Sequence, residues 1–94
     1  MILNEKKILN DSLDILDDRA MIIAMEELAE LQQAVSKGLR DKLNYENLCE
    51  EIADTLIVLE WVKAKYNVRE EDVENWKQTK LLRMKDRIES NQLN

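Results

Sequence analysis

The chain contains one glycine and no proline in 94 residues. Those two residue types end helices and supply the turns that join strands. A chain nearly without them, and rich in Leu, Ile, Glu and Lys, reads as all-α. β-rich and βαβ architectures both need more glycine than this. At this length one small domain buries only about 60–65% of its unfolded surface, so the core is marginal and self-association is an option from the start.

Apolar spacing divides the chain into four helical segments. The first covers roughly residues 3–16, with Leu9, Leu13 and Leu16 at helical intervals. Asp17 and Asp18 offer an N-cap for a second helix over 18–39, and Gly38 marks its end. Asn44 caps a third helix running to about Tyr66, with the apolar stripe Leu48, Ile52, Leu56, Leu59 and Val62. Asn67 suits the left-handed position after a helix end. A fourth helix follows over residues 70–89, where Arg69 stands in place of a good capping residue. Its first turn, Glu70, Glu71 and Asp72, suits the positive end of the helix dipole.

Several function classes fall away on composition. The chain has no histidine. The usual zinc sites, carboxylate-histidine di-iron bundles and His-dependent nucleophilic catalysis each lose a required partner. Cys49 is the single cysteine, which points to a reducing compartment and reads as a small buried residue on a helix. The longest apolar run, Ala20 to Met25, falls far short of the roughly 20 residues of a membrane span. The N-terminus shows no signal-peptide pattern, so the expectation is a soluble, cytoplasmic protein without a membrane partner. The net charge is −6, but residues 77–87 carry a local +4 and the remainder −10. An acidic body argues against general nucleic-acid binding.

Two motifs of the form acid-acid-x-x-acid stand on consecutive helices: Glu26-Glu27-Leu28-Ala29-Glu30 and Glu50-Glu51-Ile52-Ala53-Asp54. Positions i and i+3 share a helix face. Glu27 with Glu30, and Glu51 with Asp54, are thus pairs able to meet across an antiparallel helix contact. The bland explanation is a solvated face laced with Glu–Lys pairs. It fails on the spacing, because Glu26, Glu27, Glu50, Glu51 and Asp54 are followed four residues on by Glu30, Leu31, Asp54, Thr55 and Val58. These acids border apolar positions, where like charges repel and desolvation is costly. With no histidine or thiol ligand nearby, an all-oxygen set points to a hard cation, Mg²⁺ or Mn²⁺ as a substitute.

These motifs, with Asn47-Leu48-Cys49 ahead of the second and the closing Lys80-Leu81-Leu82-Arg83, resemble the signature of the MazG-like all-α nucleoside triphosphate pyrophosphohydrolases. The resemblance covers roughly residues 20–90. It implies one MazG-like helical domain over 1–94, an N-terminal helix in 1–16 and a motif-bearing core over 18–90. The implied architecture is a four-helix bundle of the all-α NTP pyrophosphatase type, assembled as a dimer or tetramer with sites completed at subunit contacts. The implied reaction cleaves an NTP or dNTP between the α- and β-phosphates, giving the monophosphate and pyrophosphate. By the same resemblance Glu27, Glu30, Glu51 and Asp54 correspond to metal ligands, with Glu26 and Glu50 as supporting acids. The segment before Asp17 matches nothing distinctive.

On the fourth helix Trp76, Lys80, Arg83 and Arg87 form one stripe, with Lys77 beside it. Such cations suit a triphosphate; the alternative is a solvated basic face offsetting the acidic body. Trp61 and Trp76 could stack on a base, although packing in the core or at a subunit contact is the preferred reading. The functional expectation is therefore Mg²⁺-dependent hydrolysis of nucleoside triphosphates. Glu26 would orient or deprotonate water, and Lys77, Lys80, Arg83 and Arg87 would hold the phosphates. The competing expectation is a non-catalytic helical interaction module with acidic faces.

Overall fold

The computed structural model describes residues 2–92 and contains four helices, with no strand among the described residues. They are α1 (Glu5–Leu16), α2 (Asp18–Leu39), α3 (Tyr45–Lys65) and α4 (Glu70–Glu89). Local chemistry accounts for most of the ends. The side chain of Asn4 accepts the Lys7 amide at 3.1 Å, and that of Asn44 accepts the Asn47 amide at 3.0 Å, so each satisfies a free donor of the first turn. Asn67 takes the left-handed conformation after α3, with φ 53°.

Two ends differ from expectation. Asp17 occupies the N-cap position of α2 but makes no side-chain cap hydrogen bond. Its carboxylate instead meets Lys65 Nζ at 2.8 Å, and Asp18 joins the same ammonium at 2.9 Å. The α1–α2 turn is thereby tied to the last turn of α3. Gly38 stays inside the helix, and Asp41 adopts the positive φ of 59° beyond it. An aspartate side chain tolerates that conformation better than most.

The α2–α3 hairpin is the main packing unit, and α1 lies against it, chiefly on α3. Ala20, Ala24, Val58 and Trp61 form the buried core, with Leu9, Leu13, Leu16, Met21, Ile23 and Val62 packed around them. Small residues on α2 let the α3 backbone come close, and Ala34 continues that strip. Trp61 belongs to this interior rather than to a subunit contact: its indole N–H donates to Ser12 Oγ at 3.0 Å, which satisfies the one polar atom of the ring.

Three sequence expectations are corrected. The α3 face turned inward is Glu51, Thr55, Val58 and Trp61, whereas Ile52, Leu56 and Leu59 are exposed and only Leu48 and Val62 are half-buried. The helix is apolar over most of its circumference, so spacing alone does not fix its rotation. Cys49 is exposed rather than buried, because that rotation turns it to the outside. The fourth helix does not complete a bundle within one chain. Every residue of α4 is exposed and its backbone approaches no other helix, leaving a three-helix body with α4 projecting from it. Lys63, which also pairs with Glu60 at 3.0 Å, reaches Glu70 across the connecting turn. The radius of gyration, 16.7 Å, exceeds the roughly 12 Å of a compact chain of this length.

Among the described residues no helix is long and apolar enough to cross a membrane.

Candidate metal centre

The rotation of α3 that hides Thr55 and Val58 also points Glu51 at α2. Glu51 is 7% exposed, the most buried acid of the chain's described residues. Thr55 lies one turn on and spends its hydroxyl on the Glu51 carbonyl at 2.8 Å, so it offers nothing to the carboxylate. From α2, Glu27 faces the same gap, one turn from buried Ala24. Carboxylate oxygens of Glu27, Glu51 and Asp54 all lie within 4.8 Å of one another. Glu27 Oε2 and Glu51 Oε2 are buried with no hydrogen-bond partner. Among the described residues the single neutral donor is Asn47 Nδ2, 3.4 Å from Glu51 Oε1.

Among the described residues no cation answers this charge. The ion pairs among the described residues all lie elsewhere. The consequence is visible in the acidities. Burial pushes the Glu27 carboxyl up to about 7, helped by the charges of Glu30 and Asp54, a hydrogen bond with Asp54, and Glu51. Glu51 is raised as well, by burial first and then by Glu30, Asp54 and Glu50. Two orphaned, buried carboxylate oxygens beside further acids form a donor set that fits a hard divalent cation.

Glu27, Glu51 and Asp54 thus converge as the sequence predicts. Glu30 is exposed, yet its charge acts on both Glu27 and Glu51. Glu26 and Glu50 are exposed, and of the two only Glu50 bears on a member of the cluster, Glu51. The basic residues are not brought to the acids within one chain. Lys77, Lys80, Arg83 and Arg87 lie on α4, and roughly 16 Å of α3 separates Asp54 from the helix end that α4 follows. Trp76 is 61% exposed, in a shallow cleft with Asp72, Asn75, Thr79 and Arg83. A larger cleft of about 660 Å³ lies between α1 and the α3–α4 turn, against Trp61, Asn10 and Asn67, and includes none of the clustered acids.

Sequence reasoning gave Asn47 no role in the site. Its signal was its place four residues before Glu51, one turn back on the same face.

No family model, no curated protein and no solved structure matches this chain.

Proposed function

We propose that the protein is a Mg²⁺-dependent nucleoside triphosphate pyrophosphohydrolase of the MazG-like all-α kind, converting an NTP or dNTP to its monophosphate and pyrophosphate. The observation that supports it best is the meeting of Glu27, Glu51 and Asp54 around two buried, unpartnered carboxylate oxygens. Salt-bridged surface acids do not explain such a cluster. The resemblance of the motifs to the MazG-like signature supplies the reaction class.

In this reading Glu27, Glu51 and Asp54, with Glu30 beside them, hold the cation. When bound, Mg²⁺ supplies Lewis-acid polarisation of the α-phosphate and a more acidic water; Mn²⁺ can replace it. Water oxygen adds to the α-phosphorus, the bond to the bridging oxygen breaks, and pyrophosphate leaves. Glu26, exposed on α2 next to Glu27 in the chain, orients that water or takes its proton. Lys80, Arg83 and Arg87, with Lys77, neutralise the β- and γ-phosphates as charge moves onto them. Because α4 stands apart from the acids of its own chain, assembly as a dimer or dimer of dimers belongs to the same reading.

Incubation with each NTP and dNTP plus Mg²⁺ should yield monophosphate and pyrophosphate in equal amounts. Accumulation of diphosphate and orthophosphate would remove the assignment of the bond broken. A second measurement separates the basic stripe from a mere counter-charge. Arg83→Ala should lower kcat/KM by roughly 10²-fold, about 3 kcal/mol, as expected for one lost donor to developing charge. Lys85 faces away from the stripe and pairs with Glu89 at 2.8 Å on the surface. Its change to Ala should cost less than about 1 kcal/mol. Equal losses at both positions, or none at either, would leave the stripe without a catalytic part.

The competing reading, a non-catalytic interaction module, draws on the fully exposed α4. Hydrolysis and metal dependence decide between the two.

A further inference from the structure

Asn47 stands in the first turn of α3, where its backbone N–H donates to the Asn44 cap at 3.0 Å. The start of the helix therefore fixes where its half-buried side chain leaves the backbone. One turn on, Asn47 Nδ2 donates to Glu51 Oε1 at 3.4 Å, while Glu51 Oε2 is buried without a partner. The two oxygens of this carboxylate are thus unequal: an amide engages one, and the other is left open. Thr55 does not compete for either, because its hydroxyl is spent on the Glu51 carbonyl.

The inequality matters because the last torsion of a glutamate is broad, so a carboxylate without a partner swings easily. A donor on one oxygen selects one setting. A lysine or arginine at position 47 would do the same, but it would also cancel the charge that draws a cation. An amide orients without neutralising. An ionised carboxylate only accepts hydrogen bonds, so the Asn47 amide has to turn its NH₂ group toward Glu51.

We propose that Asn47 is a positioning residue that makes Glu51 offer a cation one oxygen rather than two, and that this biases the site toward Mg²⁺ against Ca²⁺. The inference rests on the metal centre of the proposed function and adds to it the choice of ion. Mg²⁺ demands near-octahedral surroundings, takes few carboxylate oxygens and keeps several waters. Glu27, Glu51 and Asp54 supply one converging oxygen each, which suits that demand. Ca²⁺ takes six to eight oxygens and commonly draws both from a carboxylate. To give both, Glu51 has to turn its carboxylate toward the ion and lose the Asn47 hydrogen bond. Ligand-orienting partners of this kind tune metal affinity without touching the metal.

Calorimetric titration of the nucleotide-free chain with MgCl₂, and separately with CaCl₂, tests the role. Asn47→Leu keeps the approximate shape, removes the donor and leaves no room for a water in its place. The Asn44 cap acts on the backbone of residue 47, so far-UV circular dichroism should stay native. Mg²⁺ affinity should fall about 10-fold or more, the usual cost of losing a ligand's partner. Ca²⁺ affinity should hold or rise, since both Glu51 oxygens become available. Asn47→Gln retains an amide on a longer stem and should restore most of the preference for Mg²⁺. If both affinities of Asn47→Leu fall together, or neither moves, the proposal is overturned while the metal centre stands. A glutamine variant no better than the leucine one overturns it too, by assigning the effect to side-chain shape. A wild type that binds neither ion overturns the metal centre itself, and this role with it.

Discussion

Glu51→Gln should abolish hydrolysis while leaving the apo-protein at least as stable as the wild type. Glu51 is buried beside Glu27 and Asp54, one of its oxygens lacks any partner, and its carboxyl is pushed above the ordinary range. Glutamine keeps the size and helix propensity but removes one negative charge from the cluster. In the absence of metal, that relieves like-charge repulsion and burial of an ion, so chemical denaturation should show no loss of stability and a gain is the favoured direction. With Mg²⁺ present the same change removes a ligand. A bound cation contributes several kcal/mol of charge stabilisation in the transition state, so a fall in kcat/KM of roughly 10³-fold or more is expected. An ordinary structural acid would behave in the opposite way, since its loss would weaken the fold along with activity. A variant that retains full activity would exclude Glu51 from the site.

Metal and protons should compete for the same carboxylates, and stability should report that competition. Glu27 titrates near 4.5 in the unfolded chain and at about 7 in the folded one. Between those values the folded state holds a proton that the unfolded state has released. The contribution of Glu27 to the stability of the metal-free protein should therefore be greatest below 4.5 and fall away as pH rises to about 7, then level off. Glu51 shifts in the same direction and adds to the slope. Mg²⁺ requires the ionised carboxylates, so its effect should be small at the acid end of this window and full above it. At a free Mg²⁺ concentration 100 times Kd, linkage adds about 2.7 kcal/mol. For a domain of this size that raises Tm by roughly 10–20 °C. Thermal melts at both ends of the window, with sodium chloride at matched ionic strength as the control, give the measurement. A melting temperature indifferent to Mg²⁺ at both ends would rule out the metal centre.

The acids of the cluster were legible because their signal is local. Glu27 with Glu30, and Glu51 with Asp54, lie three residues apart, a spacing that any α-helix converts into one face. The missing basic partners four residues on are equally a property of the sequence. Burial of Glu51 was not legible in the same way, because it depends on how α3 is turned against α2. Nor was the separation of Lys80, Arg83 and Arg87 from the acids, since the direction in which α4 leaves the body is not written in its spacing.

The sequence by itself determined the helical class and nearly all of the helix ends. Scarce glycine, absent proline, the Asn44 cap and the left-handed Asn67 each act over four residues or fewer, within reach of local rules. Tertiary structure decided which face of α3 is interior, that Cys49 faces out, and that Trp61 joins the core. α3 carries Ile52, Leu56, Ile57, Val58, Leu59, Trp61 and Val62 around most of its circumference, so hydrophobic periodicity leaves its rotation open. The strip of Ala20, Ala24 and Ala34 on α2 settles it by close packing, and that contact exists only once the hairpin has formed.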